Sequence, residues 1–335
     1  MALRGKIRLF GLFVITAAVV ASAVAVWLYF PRRSSVAVYS QDTAVALARL
    51  AGAAYCSPES LEAWNCGQNC IPGVTKVKVC QGSSTRTFIA QWKGHGLVSF
   101  EGTHTTSSMV KDLEANKEKA GLPSCASCWV HRGFLDEWHS LRGCVIQTLA
   151  DIGFAEGSEV RVTGHSLGAA VSVIAMIDLV SSGWKILESY NFGMPRTGGK
   201  VFASTFNDLF RGRFFRITHH MDPVPHVPPD ILEFMHVGSE VFYDGNVSKG
   251  YTLCEHGEDY ECAGRYWDIA RDLFHLGDHS DYMDVITGSA GCGHLMLGNE
   301  TNTSHSEAAN VSNSSNTAPI SNISSEGAAK FSIVI

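Results

Sequence analysis

Hydrophobic positions divide the chain into three regimes. Leu9 to Phe30 runs without a charged residue, preceded by Arg4, Lys6 and Arg8 and closed by Pro31-Arg32-Arg33. Such a run is long enough to span a bilayer and longer than the usual signal-peptide core. It reads either as a signal anchor, with everything after residue 33 in the lumen or outside, or as a signal cut near Ala21-Ser22-Ala23 or Ala23-Val24-Ala25. On both readings the rest of the chain enters the secretory route. Residues 34–298 mix short alternating runs with helical spacings; from Asn299 onward Ser, Thr, Asn and Ala dominate, and aromatics vanish until Phe331.

The middle regime predicts alternating helices and strands. Val45, Leu47, Ala48, Leu50 and Ala51 give a helix over Thr43–Tyr55. Val74–Val79 and Thr87–Trp92 alternate like paired strands around a Gly82-Ser83-Ser84 turn, and Leu97–Phe100 is a further strand. Met109, Val110 and Leu113 suggest a short helix, and Lys117–Ser127 a polar loop. Phe134–Ile152 is amphipathic, with Leu135, Trp138, Leu141, Val145 and Leu149 on one face. Strands follow at Ile186–Phe192 and Phe214–Thr218, and helices at Val201–Phe210 and Trp267–Leu276. This alternation predicts a single α/β domain with a mostly parallel or mixed central sheet flanked by helices.

One stretch carries chemistry on its face. In Val160-Arg161-Val162-Thr163-Gly164-His165-Ser166-Leu167-Gly168, a β-branched run meets a G-x-S-x-G turn, and a helix of small apolar residues follows. The bare motif is compatible with an ordinary βα turn. Strand before and helix after make it a nucleophile elbow. Gly164 and Gly168 relieve the clash of a very sharp turn. The turn exposes the Ser166 hydroxyl and aims the Leu167 amide, at a helix N-terminus, towards a developing oxyanion.

Acyl transfer also needs a base and a carboxylate to orient it. In the order serine, acid, base, Ser166 is followed by Asp222, at a strand end backed by Pro223 and Pro225, and by His279 in a polar loop. The chain has 14 histidines, and a structural role is the ordinary reading of any one. His219, His220 and His226 flank the acid too closely; His236 reads as surface or structural, His275 as helical and His294 as part of the closing loop. The apolar strand ending in Glu101-Gly102-Thr103 stands where a second oxyanion donor could sit, or is a plain strand end.

A net charge of −6 leaves no footprint for nucleic acid. Ten cysteines point to an oxidising compartment. Cys125-Ala126-Ser127-Cys128 lacks a second C-x-x-C or a His pair at zinc spacing, so it reads as a disulfide or as unrelated thiols rather than a metal site. No metal or organic cofactor and no obligate protein partner is expected. Sequons at Asn299, Asn302, Asn310, Asn313 and Asn322 crowd the tail, with Asn246 upstream. The tail is expected to be disordered and glycosylated, and its last apolar stretch, Phe331–Ile335, is too short for a lipid-anchor signal.

Taken together, Val98–Thr103, Val130–Phe134, Thr163–Ala169, Asn191–Arg196, Arg216–Pro228, His236–Glu240 and Asp278–Tyr282 resemble, in order and spacing, the fungal-type lipases of the class 3 lipase family. The resemblance runs from about Asp42 to Leu297 and implies an α/β-hydrolase fold. It implies Ser166 as nucleophile, Asp222 as acid and His279 as base, with Thr103 and the Leu167 amide as oxyanion hole. It further implies disulfides Cys56–Cys292, Cys66–Cys70 and Cys254–Cys262, leaving Cys80, Cys125, Cys128 and Cys144 unassigned.

Two departures shape the expected function. Glu101 stands where many relatives carry arginine, and it is expected to point away from the oxyanion hole or to pair with a cation. The lid region, roughly His104–Leu113, offers few apolar residues, which weakens the case for strong interfacial activation. The expected activity is serine carboxylic ester hydrolysis at a lipid–water interface. An acylglycerol lipase leads; a phospholipase A1 or a short-chain or aryl esterase is the alternative, and a non-catalytic surface glycoprotein is a distant third.

Overall fold

The computed structural model describes residues 38–104, 116–255, 257–266 and 273–292. The expected anchor or signal, the helix at Met109–Leu113, most of the lid and the sequons from Asn299 onward lie outside the described residues. Among the described residues, no helix is long and apolar enough to cross a membrane.

Helix α1, Gln41–Ala53, starts where the Ser40 hydroxyl accepts the Thr43 amide at 3.3 Å, and it buries Leu47, Leu50 and Ala51. A short helix α2, Pro58–Glu62, follows. Strands β1 (Val74–Gln81), β2 (Arg86–Trp92) and β3 (His95–Phe100) form an antiparallel meander. The β2–β3 turn uses Lys93 and Gly94 at φ +50° and +81°, the mirror-image conformation that matches strand twist.

Next come β4 (Lys117–Lys119) and β5 (Trp129–His131), helix α3 (Arg132–Asp151), β6 (Glu159–His165) and helix α4 (Leu167–Ser181). Strands β7 (Lys185–Ile186) and β8 (Ser189–Phe192), helix α5 (Lys200–Phe210), and strands β9 (Phe214–His219), β10 (Ser239–Tyr243) and β11 (Thr252–Cys254) complete the main body. Two short strands, β12 (Asp281–Tyr282) and β13 (Val285–Ile286), pair near the end of the described chain.

The nine-stranded sheet has the order β1-β2-β3-β6-β8-β9-β10-β11, with β7 beside β6. Its centre, β3 through β10, is parallel, and its edges are antiparallel. One face packs Phe134, Trp138 and Leu141 of α3, Ile174 of α4 and Phe206 of α5. The other packs Leu47 of α1 with Phe88, Tyr190, Phe192 and Tyr282. Apart from a few polar positions, α4 is apolar all round because it is buried from Gly168 to Leu179. Its one buried acid, Asp178, accepts hydrogen bonds from Trp138 Nε1 at 2.9 Å and Arg142 Nε at 2.6 Å.

Several elements differ from the sequence reading. Lys117–Ser127 is not wholly a loop: Lys117–Lys119 pairs with β5 although all three side chains are exposed, so no alternation marks it. Ile186–Phe192 is two strands, because the Ser189 hydroxyl donates to the Leu187 carbonyl and accepts the Val162 amide, breaking the run. His275 lies in a 3-10 turn, Leu273–His275, while residues 267–272 of the expected helix are outside the described residues. Strand β10 escaped notice because it carries Glu240. That side chain is buried against Arg216 at 3.0 Å and the Thr218 hydroxyl at 2.6 Å.

All ten cysteines are paired: Cys56–Cys292, Cys66–Cys70, Cys80–Cys144, Cys125–Cys128 and Cys254–Cys262. The C-x-x-C is thus a disulfide that closes a tight turn between β4 and β5. Cys80–Cys144 ties β1 to α3.

Candidate active site

Strand β6 ends at His165 and α4 begins at Leu167, so Ser166 makes the turn by itself. Its backbone sits at φ +58°, ψ −131°, a region that costs a non-glycine residue about 1–3 kcal/mol and persists only where surrounding packing imposes it. The glycines show that packing. A Cβ on Gly164 would lie 2.6 Å from the Gly168 carbonyl oxygen, and one on Gly168 would strike the carbonyls of Phe100 and Glu101. The Ser166 amide donates to the Phe192 carbonyl at 3.0 Å, tying the turn to the end of β8.

Asp222 lies just past β9, and its position is over-determined. One carboxylate oxygen accepts the Val224 amide at 2.8 Å; the other accepts His279 Nδ1 at 2.8 Å and the Tyr282 hydroxyl. Burial by itself would raise the Asp222 pKa. The facing His279 imidazole and these three donors outweigh it and hold the carboxyl below its ordinary value. With Nδ1 donating to Asp222, the lone pair of neutral His279 is on Nε2. That atom is buried and has no hydrogen-bond partner among the described residues.

Gly193, at φ +58°, brings the chain after β8 against the same imidazole. A Cβ there would lie 2.8 Å from His279 Cε1. The ring of His165 stacks beside that of His279, with centroids 4.4 Å apart. His165 Nε2 contacts the His279 carbonyl at 2.7 Å, and its Nδ1 contacts the Tyr55 hydroxyl at 2.7 Å. Burial, and then the neighbouring His279, lower the His165 pKa to about 3, so this imidazole stays neutral.

Leu167 is the first residue of α4, so its amide lies among those without an intrahelical acceptor. Gly102, which precedes Thr103, presses its backbone onto the serine turn: a Cβ would lie 2.6 Å from the His165 carbonyl oxygen and 2.8 Å from Ser166 Cβ. Thus the backbone leading into Thr103 runs directly beside Ser166.

Glu101 does pair with a cation, Arg86. Its carboxylate accepts Arg86 Nε at 3.0 Å, Arg86 Nη2 at 2.6 Å and the Arg86 amide at 2.8 Å, and it lies 2.9 Å from His104 Nε2. The hydrogen bonds to Glu101 raise the Arg86 pKa against the opposing effect of burial. The negative charge at this position is thereby neutralised beside the turn.

Other histidines have separate partners. His236, read as surface or structural, is buried, with Nε2 2.8 Å from the Pro225 carbonyl. His219 contacts the Asp278 carbonyl and His220 the Asp278 carboxylate; His294 is outside the described residues. Asn246 is exposed, caps the turn Val247–Lys249 and contacts Asp284. Sequence reasoning assigned no role to Tyr55, His165, Gly193 or Tyr282. The adjacency of His165 to Ser166 and of Tyr282 to the His279 loop was visible, but nothing local showed which groups they touch.

A mixed sheet with a strained serine turn after a central strand, and a buried Asp–His pair from later strand ends, defines the α/β-hydrolase fold. The family described as Lipase (class 3) matches residues 97–232. A secreted mono- and diacylglycerol lipase of Fusarium solani is 30% identical over 218 residues, covering 61% of this chain and 64% of that protein. Secreted mono- and diacylglycerol lipase A of Penicillium cyclopium is 32% identical over 145 residues, covering 43% and 46%. These matches therefore span less than two thirds of the curated relatives' length. Among solved structures, lipase II from Rhizopus niveus superposes with a TM-score of 0.62 at 25% identity, covering 74% of this chain and 96% of that one. A mono- and diacylglycerol lipase from Aspergillus oryzae gives 0.64 at 23%, covering 76% and 100%, and shares the fold. Residues 97–232 thus match the class 3 lipase family, and the chain is similar to fungal lipases in sequence and in fold.

Proposed function

We propose that this protein is a secreted serine carboxylic ester hydrolase that cleaves acylglycerols, acting through residues 34–298. The observation that carries the reading is the strained Ser166 turn with the buried Asp222–His279 pair beside it. In this mechanism, the Ser166 hydroxyl attacks the ester carbonyl while His279 Nε2 takes its proton. The tetrahedral oxyanion is held by the Leu167 amide and by Thr103. Its collapse expels the alcohol, protonated by His279, and leaves an acyl-Ser166 ester. Water, activated by the same imidazole, attacks this ester to release the fatty acid and restore the hydroxyl. Asp222 holds the imidazole in the correct tautomer and stabilises its cation.

Acylglycerols are favoured because the relatives in Fusarium and Penicillium are named mono- and diacylglycerol lipases. Secretion is supported by those names and by the five disulfides, which suit an oxidising compartment. Glycosylation at the exposed Asn246 fits the same route.

The test is hydrolysis of monoolein, diolein, triolein, phosphatidylcholine and a short nitrophenyl ester by the purified protein, with Ser166→Ala as control. Fastest Ser166-dependent turnover is expected on an oleoylglycerol. Preference for phosphatidylcholine or for the dissolved short ester would replace the acylglycerol assignment with a phospholipase or an esterase.

A further inference from the structure

We propose that His220, His275 and Asp278 form a binding site for a divalent transition-metal ion, with zinc the best fit. The three come from two separated segments. His220 follows β9, two residues before Asp222, whereas His275 and Asp278 stand in the turns that lead to His279. His220 Nδ1 is 2.9 Å from Asp278 Oδ2, and His275 Nδ1 is 3.6 Å from the same oxygen. All three donor atoms lie within 4.8 Å of one another. A tetrahedral zinc ion with bonds of about 2.0–2.2 Å sets its ligand atoms roughly 3.4 Å apart. The 3.6 Å pair is already near that spacing, and the 2.9 Å pair would open by about half an ångström to admit the ion.

The donor chemistry supports the same choice. Two imidazoles and one carboxylate suit zinc and its first-row neighbours, whereas calcium and magnesium prefer sites made of oxygen alone. All three side chains are partly exposed, at 36%, 37% and 24%, so an ion can enter and water can complete its shell. The Met221 amide donates to Asp278 Oδ2 at 3.3 Å, and the ring of His220 packs edge-on to Tyr266 at 5.6 Å, so both ligands are oriented from behind. A cleft of about 360 Å³ opens at His220 and Asp278 and is also lined by Asp244, Asp281, Asp284 and Lys249, a predominantly acidic wall that favours a cation.

A bound ion would join the segment that carries Asp222 to the segment that carries His279. It would act as a staple across the catalytic pair, outside the chemistry itself, and stabilise the folded chain by mass action.

Untagged protein, stripped with chelator, is titrated with Zn²⁺ by calorimetry and with Co²⁺ by visible absorption, alongside His275→Ala and Asp278→Asn. One equivalent of Zn²⁺, a Co²⁺ d–d band of four- or five-coordinate intensity and a raised Tm are expected. Loss of an outer-shell partner alone weakens metal sites about 10–100-fold, so removal of a ligand should weaken Zn²⁺ by at least about tenfold. Melting of the metal-free His275→Ala protein at the wild-type Tm verifies its fold. No Zn²⁺ binding, wild-type Zn²⁺ affinity in both variants, or Ca²⁺ binding as tightly as Zn²⁺ would overturn the assignment.

Discussion

His165 Nε2 lies 2.7 Å from the backbone carbonyl of His279, so the neighbour of the proposed nucleophile holds the segment carrying the proposed base. A carbonyl can only accept, so Nε2 must bear the proton. Nδ1 then accepts from the Tyr55 hydroxyl at 2.7 Å. Tyr55 thus fixes the tautomer that grips His279.

Tyr55→Phe removes that donor and loosens the grip. The expected result is a fall in kcat of about three- to tenfold with KM nearly unchanged, since the hydroxyl positions His165 and the Gly102 backbone rather than holding substrate. Steady-state kinetics on a soluble ester checks this, and a change confined to KM would contradict it.

Glu101→Gln should separate stability from turnover. The carboxylate is buried and receives three hydrogen bonds from Arg86, so loss of its charge destabilises the fold by about 2 kcal/mol. Because that charge is already neutralised by Arg86, kcat should stay within about twofold of wild type. Urea unfolding and kinetics on the same preparation test both halves.

Acid should destabilise the protein through its buried histidines. Burial, the largest cause in each case, lowers His165 to about 3 and His226 to about 4 and pushes His236 well down. Unfolded histidines titrate near 6.5, so below that pH the unfolded chain binds protons that the folded chain refuses. Stability is then lost as pH falls from about 6.5, by up to about 1.4 kcal/mol per pH unit for each such histidine. Asp222 has the depressed folded value of a paired carboxylate, and its contribution is lost only in stronger acid, as pH falls through that value. Urea midpoints at pH 7.5, 6 and 5 should decline steadily, and His236→Gln should flatten the slope.

The Cys80–Cys144 disulfide closes a separation of 64 residues. Chain-entropy arguments assign such a loop about 4 kcal/mol. The double variant Cys80→Ala, Cys144→Ala should therefore lose most of that stability, read by urea unfolding, and keep its kcat because β2 and β3 separate Cys80 on β1 from the strand that leads to Ser166.

Much of the site was legible because its chemistry is local. Gly164, Ser166 and Gly168 meet in one turn, and a strained turn between strand and buried helix leaves a pattern in adjacent letters. Asp222 and His279 were legible through chain order and resemblance, although their 2.8 Å contact spans 57 residues. Strand β10 was hidden by Glu240, whose charge makes sense only once Arg216 on the neighbouring strand is beside it. Lys117–Lys119 has no burial pattern to read, and the Ser189 hydroxyl splits β7 from β8 through hydrogen bonds that no periodicity encodes. The pairing of Cys80 with Cys144 likewise depends on how α3 packs against β1.

The central claim is that Ser166 is the acyl-accepting nucleophile. Reaction of the folded protein with a fluorophosphonate, followed by peptide mass spectrometry, tests it most directly. A stoichiometric adduct on Ser166, lost together with ester hydrolysis in Ser166→Ala, is the predicted result. An adduct on another residue, or hydrolysis that survives in Ser166→Ala, would contradict it.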